Sequence, residues 1–264
     1  MIQEIIRKII CYFAKTKQST EAITEKFVAN TVESPIDDRD FIYVGGDLNL
    51  PKKVRLITPP IRSQGATNSC MSHASVRAQE IQLMQEGRYL EGNELYHYYN
   101  ARKDAGTFPD KVGMSVRQGC ATAVKHGMAL EKAWPWNPNN VNITPPLSAY
   151  WLSSLYPNKT YWRVTSIQGI KSALDNGLPI QCGIWVDLHY YNLDSTTYVW
   201  SPIIKTTKYG GHAQVIVGYD DETQQLEIEN SWGRSWGKKG TYFIDYDKFE
   251  KISFDWYITK TEKW

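Results

Sequence analysis

Four side chains scattered along this sequence have the types needed to transfer an acyl group through sulfur. Cys70 closes the run Gln64-Gly65-Ala66-Thr67-Asn68-Ser69-Cys70, His212 stands in Gly211-His212-Ala213, and Asn230 opens Asn230-Ser231-Trp232-Gly233. A thiol nucleophile, a base, a group that holds the base and an amide donor for a developing oxyanion are the parts of catalysis by way of a thioester. A free thiol titrates near about 8.5, and a helix N-terminus beside an imidazolium can lower that to about 3.5–7.5. A lone cysteine is more commonly a buried small hydrophobe, so the case for Cys70 rests on Gln64 before it and on His212 and Asn230 after it.

The surrounding pattern supplies elements to carry these groups. Met71, Ala74, Ala78, Ile81 and Met84 recur at helical spacing and Gly87 stops the run, which puts Cys70 in the first turn of a helix, where the positive end of the dipole favours a thiolate. A second helical stretch follows Met114-Ser115-Val116-Arg117 as far as Lys125-His126-Gly127, and a third runs from Ser166 to Asn176. Strand-like runs are expected at Ile180 to Val186, Ala213 to Tyr219, Gln225 to Glu229, Gly240 to Ile244 and Trp256 to Thr259. The Pro- and Asn-rich run from Pro135 to Pro146 reads as the crossing between a helical and a β-rich part.

At the N-terminus, Ile2, Ile5, Ile6, Ile9, Ile10 and Phe13 form one helical stripe, read as an amphipathic docking arm. Arg7 and Lys8 interrupt it, which argues against a secretory signal and for a cytoplasmic or virion-associated protein. A short helix is expected at 20–30, and an extended connector from Ser34-Pro35 to Pro51 with a turn at Gly45-Gly46.

Bulk properties bound the answer. With 264 residues the chain can bury roughly 70 to 75 per cent of its unfolded surface without a disulfide or metal. Thirty basic against twenty-eight acidic residues leave a formal charge of +2, which gives no argument for a nucleic-acid partner. Cys11, Cys70, Cys120 and Cys182 have no metal-like spacing, so neither a metal nor a cofactor is expected. No apolar run reaches the length of a membrane span.

Gln64-Gly65 with Ser69-Cys70, His212-Ala213 running into Val215-Ile216-Val217-Gly218-Tyr219, and Asn230-Ser231-Trp232-Gly233 with Trp236-Gly237 and Gly240-Thr241-Tyr242 resemble the papain-like cysteine peptidases in order and approximate spacing. The resemblance implies an α+β two-lobe fold: a helical lobe over 51–150 with the nucleophile, an antiparallel, barrel-like lobe over 151–264 with His212 and Asn230, and the arm and connector over 1–50. It implies peptide-bond hydrolysis, with a peptide or protein as substrate. Asn230 would accept from the far ring nitrogen of His212 under the cover of Trp232, and Gln64 would join the Cys70 backbone N–H at the oxyanion.

Several positions depart from the family. Thr67 replaces a disulfide cysteine, Met71 a tryptophan, and the Gly-Cys-x-Gly-Gly strip is missing. Asn68 stands where glycine is usual, so a left-handed backbone there would cost energy. His73 is three residues from Cys70 but has no family counterpart, and His97, His126 and His189 read as structural. Tyr190, Tyr191, Tyr198, Trp200 and Tyr209 form an aromatic loop that either walls the cleft or packs. Residues 1–50 are open to three readings: an interaction arm, a strap on the body, or a short inhibitory propeptide. The competing function is a papain-like structural or docking subunit of a larger assembly, such as a phage particle, bound through the arm.

Overall fold

A computed structural model of the chain describes residues 28–38, 40–46, 49–203 and 210–262. The expected arm helix at 2–13, most of the one at 20–30, Cys11 and Tyr209 lie outside the described residues; residues 28–30 are irregular. The described elements are β1 (Lys53–Arg55), α1 (Cys70–Gln85), α2 (Glu94–Asp104), α3 (Val116–His126), α4 (Leu147–Ser153), β2 (Asn158–Arg163), α5 (Ile167–Asp175), β3 (Ile180–Val186), α6 (Leu188–Tyr191), β4 (Gly210–Asp220), β5 (Gln225–Glu229), β6 (Thr241–Asp245), α7 (Tyr246–Ile252) and β7 (Ser253–Thr261).

After β1 come helices α1 to α4, and the strands after α4 form one antiparallel sheet in the order β2-β7-β3-β4-β5-β6, with β1 added beside β4. The expected α+β organisation is present. The α3 and α5 starts are set by Ser115 and Ser166, whose hydroxyls accept from Gln118 N and Gly169 N, as N-cap serines do. Helix α1 ends as expected, Gly87 taking φ +74° without steric cost. Strand β2 and helix α2 carried no clear period: Asn-Lys-Thr-Tyr-Trp-Arg does not alternate cleanly, and in α2 polar and aromatic residues are buried together.

Helix α1 is the axle of the molecule. Fourteen of its sixteen residues are buried, because it packs against α2 and α3 on one side and against β4 and β7 on the other. Its polar residues are therefore buried too, and each needs a partner. Gln82 donates to Thr259 O at 2.9 Å, Gln79 accepts from Asn158 at 2.7 Å, and Glu80 accepts from Arg62 at 2.7 Å. Arg77 donates through Nε to Glu229 Oε2 at 2.8 Å and through Nη1 to the Pro60 carbonyl at 2.9 Å. The Arg77–Glu229 pair joins α1 to the end of β5, one residue before Asn230.

Candidate active site

Cys70 is the first residue of α1 and is fully buried. His212 lies near the start of β4, opposite Ile184 of β3, and is also fully buried. The ring's Nε2 and Asn230 Oδ1 are 2.7 Å apart, and the same oxygen accepts from Ser231 N at 2.7 Å. Trp232 lies over the imidazole with ring centroids 4.7 Å apart and 31° between planes, and Tyr191 stacks on Trp232 at 5.2 Å. Ring Nδ1 makes no hydrogen bond among the described residues, which leaves it as the nitrogen available to the thiol. Burial pushes the Cys70 thiol up, but His212, the Thr31 hydroxyl and the Ala213 backbone outweigh it and bring the thiol down to about 7. Those favourable contacts stabilise the thiolate.

Gln64 is held on three sides. Its backbone N–H donates to Ser231 O at 2.8 Å, its Oε1 accepts from Ser231 Oγ at 2.6 Å, and its Nε2 donates to Thr67 O at 2.7 Å. The turn carrying Gln64 is thus stitched to the Asn230-Ser231-Trp232 run, bringing together all four residues singled out from the sequence. The left-handed residue in this turn is Gly65, at φ +58°; Asn68 does not have positive φ. The expected strain at Asn68 is absent, because the glycine earlier in the turn absorbs the reversal.

The other histidines sit apart from this chemistry. His73 is buried against Trp136 and bonds through Nδ1 to the Ser69 carbonyl at 3.1 Å. Burial holds it down to about 3, so its 4.0 Å approach to Glu94 is a contact of a neutral ring and not an ion pair. His97 bonds to Ser72 and Gly119, and His126 to Asp104. The aromatic loop packs inward: Tyr190 and Trp200 are buried in a cluster with Trp232, Trp236 and Tyr242. Cys70, Cys120 and Cys182 are free thiols, and burial pushes the latter two above the ordinary range.

Sequence reasoning missed what covers the site. Residues 28–34 run through the cleft, with Thr31 Oγ1 3.0 Å from Cys70 Sγ. Thr31 N donates to Gly211 O at 2.6 Å, and Gln64 Nε2 also donates to Val28 O at 3.1 Å. A Cβ at Gly113 would fall 1.4 Å from Asn30 O, and one at Gly211 would fall 1.9 Å from Thr31 O. The slot therefore admits main chain only because its walls are glycine at those points. Nothing in the composition of Val28-Ala29-Asn30-Thr31 announced this contact, although the glycines beside His212 and before Met114 were visible.

The model of the Peptidase C39 like family matches residues 97–263, which include His212 and Asn230 and begin after Cys70. The chain belongs to this family. As a cysteine peptidase of papain-like fold, it resembles xylellain, a cysteine protease from Xylella fastidiosa, with a TM-score of 0.82 and 26% identity over 90% of this chain and 98% of that one. A peptidase C1-like protein of Acanthamoeba polyphaga mimivirus is 26% identical over 96% of the peptidase and 82% of its own length. Digestive procathepsin L 3 of Tenebrio molitor, at 17% identity and a TM-score of 0.70, covers 98% of the peptidase and 89% of its own chain, and shares the fold. No helix among the described residues is long and apolar enough to cross a membrane.

Proposed function

We propose that this peptidase hydrolyses peptide bonds through a thioester on Cys70. The Cys70 thiolate attacks the carbonyl carbon, forming the S–C bond, and the carbonyl oxygen takes up negative charge facing Gln64 Nε2 and the Cys70 N–H. As the C–N bond breaks, the His212 imidazolium gives its proton to the leaving amine. A water then gives a proton to His212 and its hydroxide to the acyl carbon, and the thiolate leaves. Asn230 keeps the ring oriented through both steps, and Trp232 keeps water from that hydrogen bond.

One observation carries this reading: a thiol at a helix N-terminus is brought to about 7 beside an imidazole whose other nitrogen is held 2.7 Å from a buried carboxamide. Nothing in a purely docking subunit calls for a thiol activated against its own burial. Because residues 28–34 occupy Gln64 Nε2 and cap the sulfur, turnover requires their displacement. The test is hydrolysis of a fluorogenic peptide library by the wild type and by Cys70→Ala, with folding checked by thermal melting. The variant is expected to lose at least about a thousandfold in kcat, and a folded Cys70→Ala that cleaves at the wild-type rate refutes the assignment.

A further inference from the structure

Between α2 and α3 the chain runs from Ala105 to Ser115 without a helix or strand, and it reaches the cleft at Gly113, where a Cβ would fall 1.4 Å from Asn30 O. Residues 109–112, just before that glycine, are all exposed, so apolar burial does not hold them. Side chains grip their carbonyls instead. Tyr98 Oη donates to Val112 O at 2.9 Å, Asn68 Nδ2 to Lys111 O, and Arg102 Nη1 to Asp110 O at 3.2 Å. Three consecutive main-chain acceptors, which an exposed loop would ordinarily leave to water, are thus taken by three different side chains. Tyr98 and Arg102 lie one turn apart on α2, and each is 1% exposed. The Arg102 guanidinium also donates to Asn142 Oδ1 at 2.7 Å, to Val141 O and, through Nε, to Tyr98 O at 3.2 Å, and it lies over the Tyr98 ring at 4.1 Å. Every one of these acceptors is a carbonyl oxygen, so the buried cation serves to fix main chain. Its planar fork of donors is suited to joining two loops at one point.

We propose that Arg102, Tyr98 and Asn68 are positioning residues for the substrate: they fix the Gly113 wall relative to Cys70, so that an extended peptide lying along the wall meets the thiol in register. The inference rests on the peptidase reading of Cys70. Gly113 accepts main chain at close range, since Asn30 already lies against it. Asn68 ties the wall to the turn that carries the nucleophile, two residues before Cys70. With threonine at 67 and no cysteine between 105 and 115, this tie is a hydrogen bond and not a covalent link. It also gives Asn68 a use: the backbone there needs no positive φ, and the side chain is what the position contributes. A wall held in place before the peptide arrives saves the peptide the entropy of ordering it. Loosening the grip therefore weakens a ligand long enough to reach Gly113, whereas a small reagent at the sulfur does not sense the wall.

Labelling of Cys70 in the full chain tests this, with two reagents on each protein: iodoacetamide, which touches little beyond the sulfur, and a tripeptidyl chloromethyl ketone, whose peptide lies along the wall. The ratio of the two second-order rates isolates the contribution of the peptide, because uncovering of the cleft and ionisation of the thiol act on both rates alike. Tyr98→Phe and Asn68→Ala each remove one hydrogen bond, and each should lower the ratio of peptidyl to iodoacetamide labelling by about two- to twelvefold. Arg102→Lys keeps the charge but loses the fork, and should lower it by at least about tenfold. Thermal melting checks folding, and if Arg102→Lys does not fold, the two single-bond variants decide. In hydrolysis of an extended peptide the same variants should raise KM by the factor read from the ratio, with kcat changed by less than about twofold. An unchanged ratio in folded Tyr98→Phe and Asn68→Ala overturns the proposal, whether the two rates hold steady or fall together; a common fall is what a purely structural role would give. Ratios that obey these expectations in proteins that hydrolyse no peptide, the wild type included, would instead overturn the peptidase reading and leave the wall assignment standing.

Discussion

Gln64→Ala should push two measurements in opposite directions. In the covered site Gln64 Nε2 donates to Val28 O at 3.1 Å, one of the bonds that keep residues 28–34 in the cleft. A net hydrogen bond contributes about 0.5–1.5 kcal/mol, so its loss should raise the open population about two- to twelvefold. Gln64 is not among the groups that set the Cys70 thiol, so the thiolate fraction should stay as it is, and iodoacetamide labelling of Cys70 in the full chain should quicken by that factor. Turnover should fall instead, because removing one oxyanion donor costs about a hundred- to a thousandfold in kcat. The substitution also strips Ser231 Oγ and the half-buried Thr67 O of a partner, and about 1–3 kcal/mol of stability should go with the buried Ser231 hydroxyl left unsatisfied. Stopped-flow labelling and steady-state hydrolysis on one preparation give both numbers. Labelling and turnover that fall together, or a kcat that does not change, would refute the assignment of Gln64 to both the covering segment and the oxyanion.

Other expectations are simpler. Burial raises the Cys70 thiol but His212 and Thr31 bring it down to about 7, so Cys70 alkylation should climb as pH rises through about 7 and level off above it. Because the folded thiol titrates below its unfolded value, the thiolate stabilises the fold above the ordinary thiol range, and that contribution is lost as pH falls through about 7; Cys70→Ala should remove this part of the pH dependence of melting, and an unchanged profile would count against an activated thiol. Arg77→Met should destabilise by about 1–3 kcal/mol, since it leaves the Glu229 carboxylate, 3% exposed, with only the longer Arg55 contact at 3.5 Å and the Thr58 hydroxyl in place of its close cation. Urea unfolding measures this, and a loss below about 1 kcal/mol would show that the pair does not brace α1 against β5.

The legible part of this protein was the part encoded locally. The start of α1 at Cys70, its end before Gly87, the caps at Ser115 and Ser166 and the strands around His212 all follow from side-chain period, hydroxyl caps and glycine stops, which act within a few residues. The motifs around Cys70, His212, Asn230 and Gln64, through their resemblance to the papain-like peptidases, also marked these residues as one chemical set. Their assembly was a different matter: α1 carries buried charge and amide groups on every side, a pattern that no amphipathic stripe announces, because the partners of Arg77, Gln79 and Gln82 come from β5, β2 and β7. Thr31 is the clearest case. It meets Cys70 across thirty-nine positions of sequence, in a segment with no period and no cap, and its place depends on glycine walls contributed by α3's approach and by β4. Short-range preferences determine which groups a chain can offer; which of them touch, and which are covered, depends on long-range packing that closes only in three dimensions.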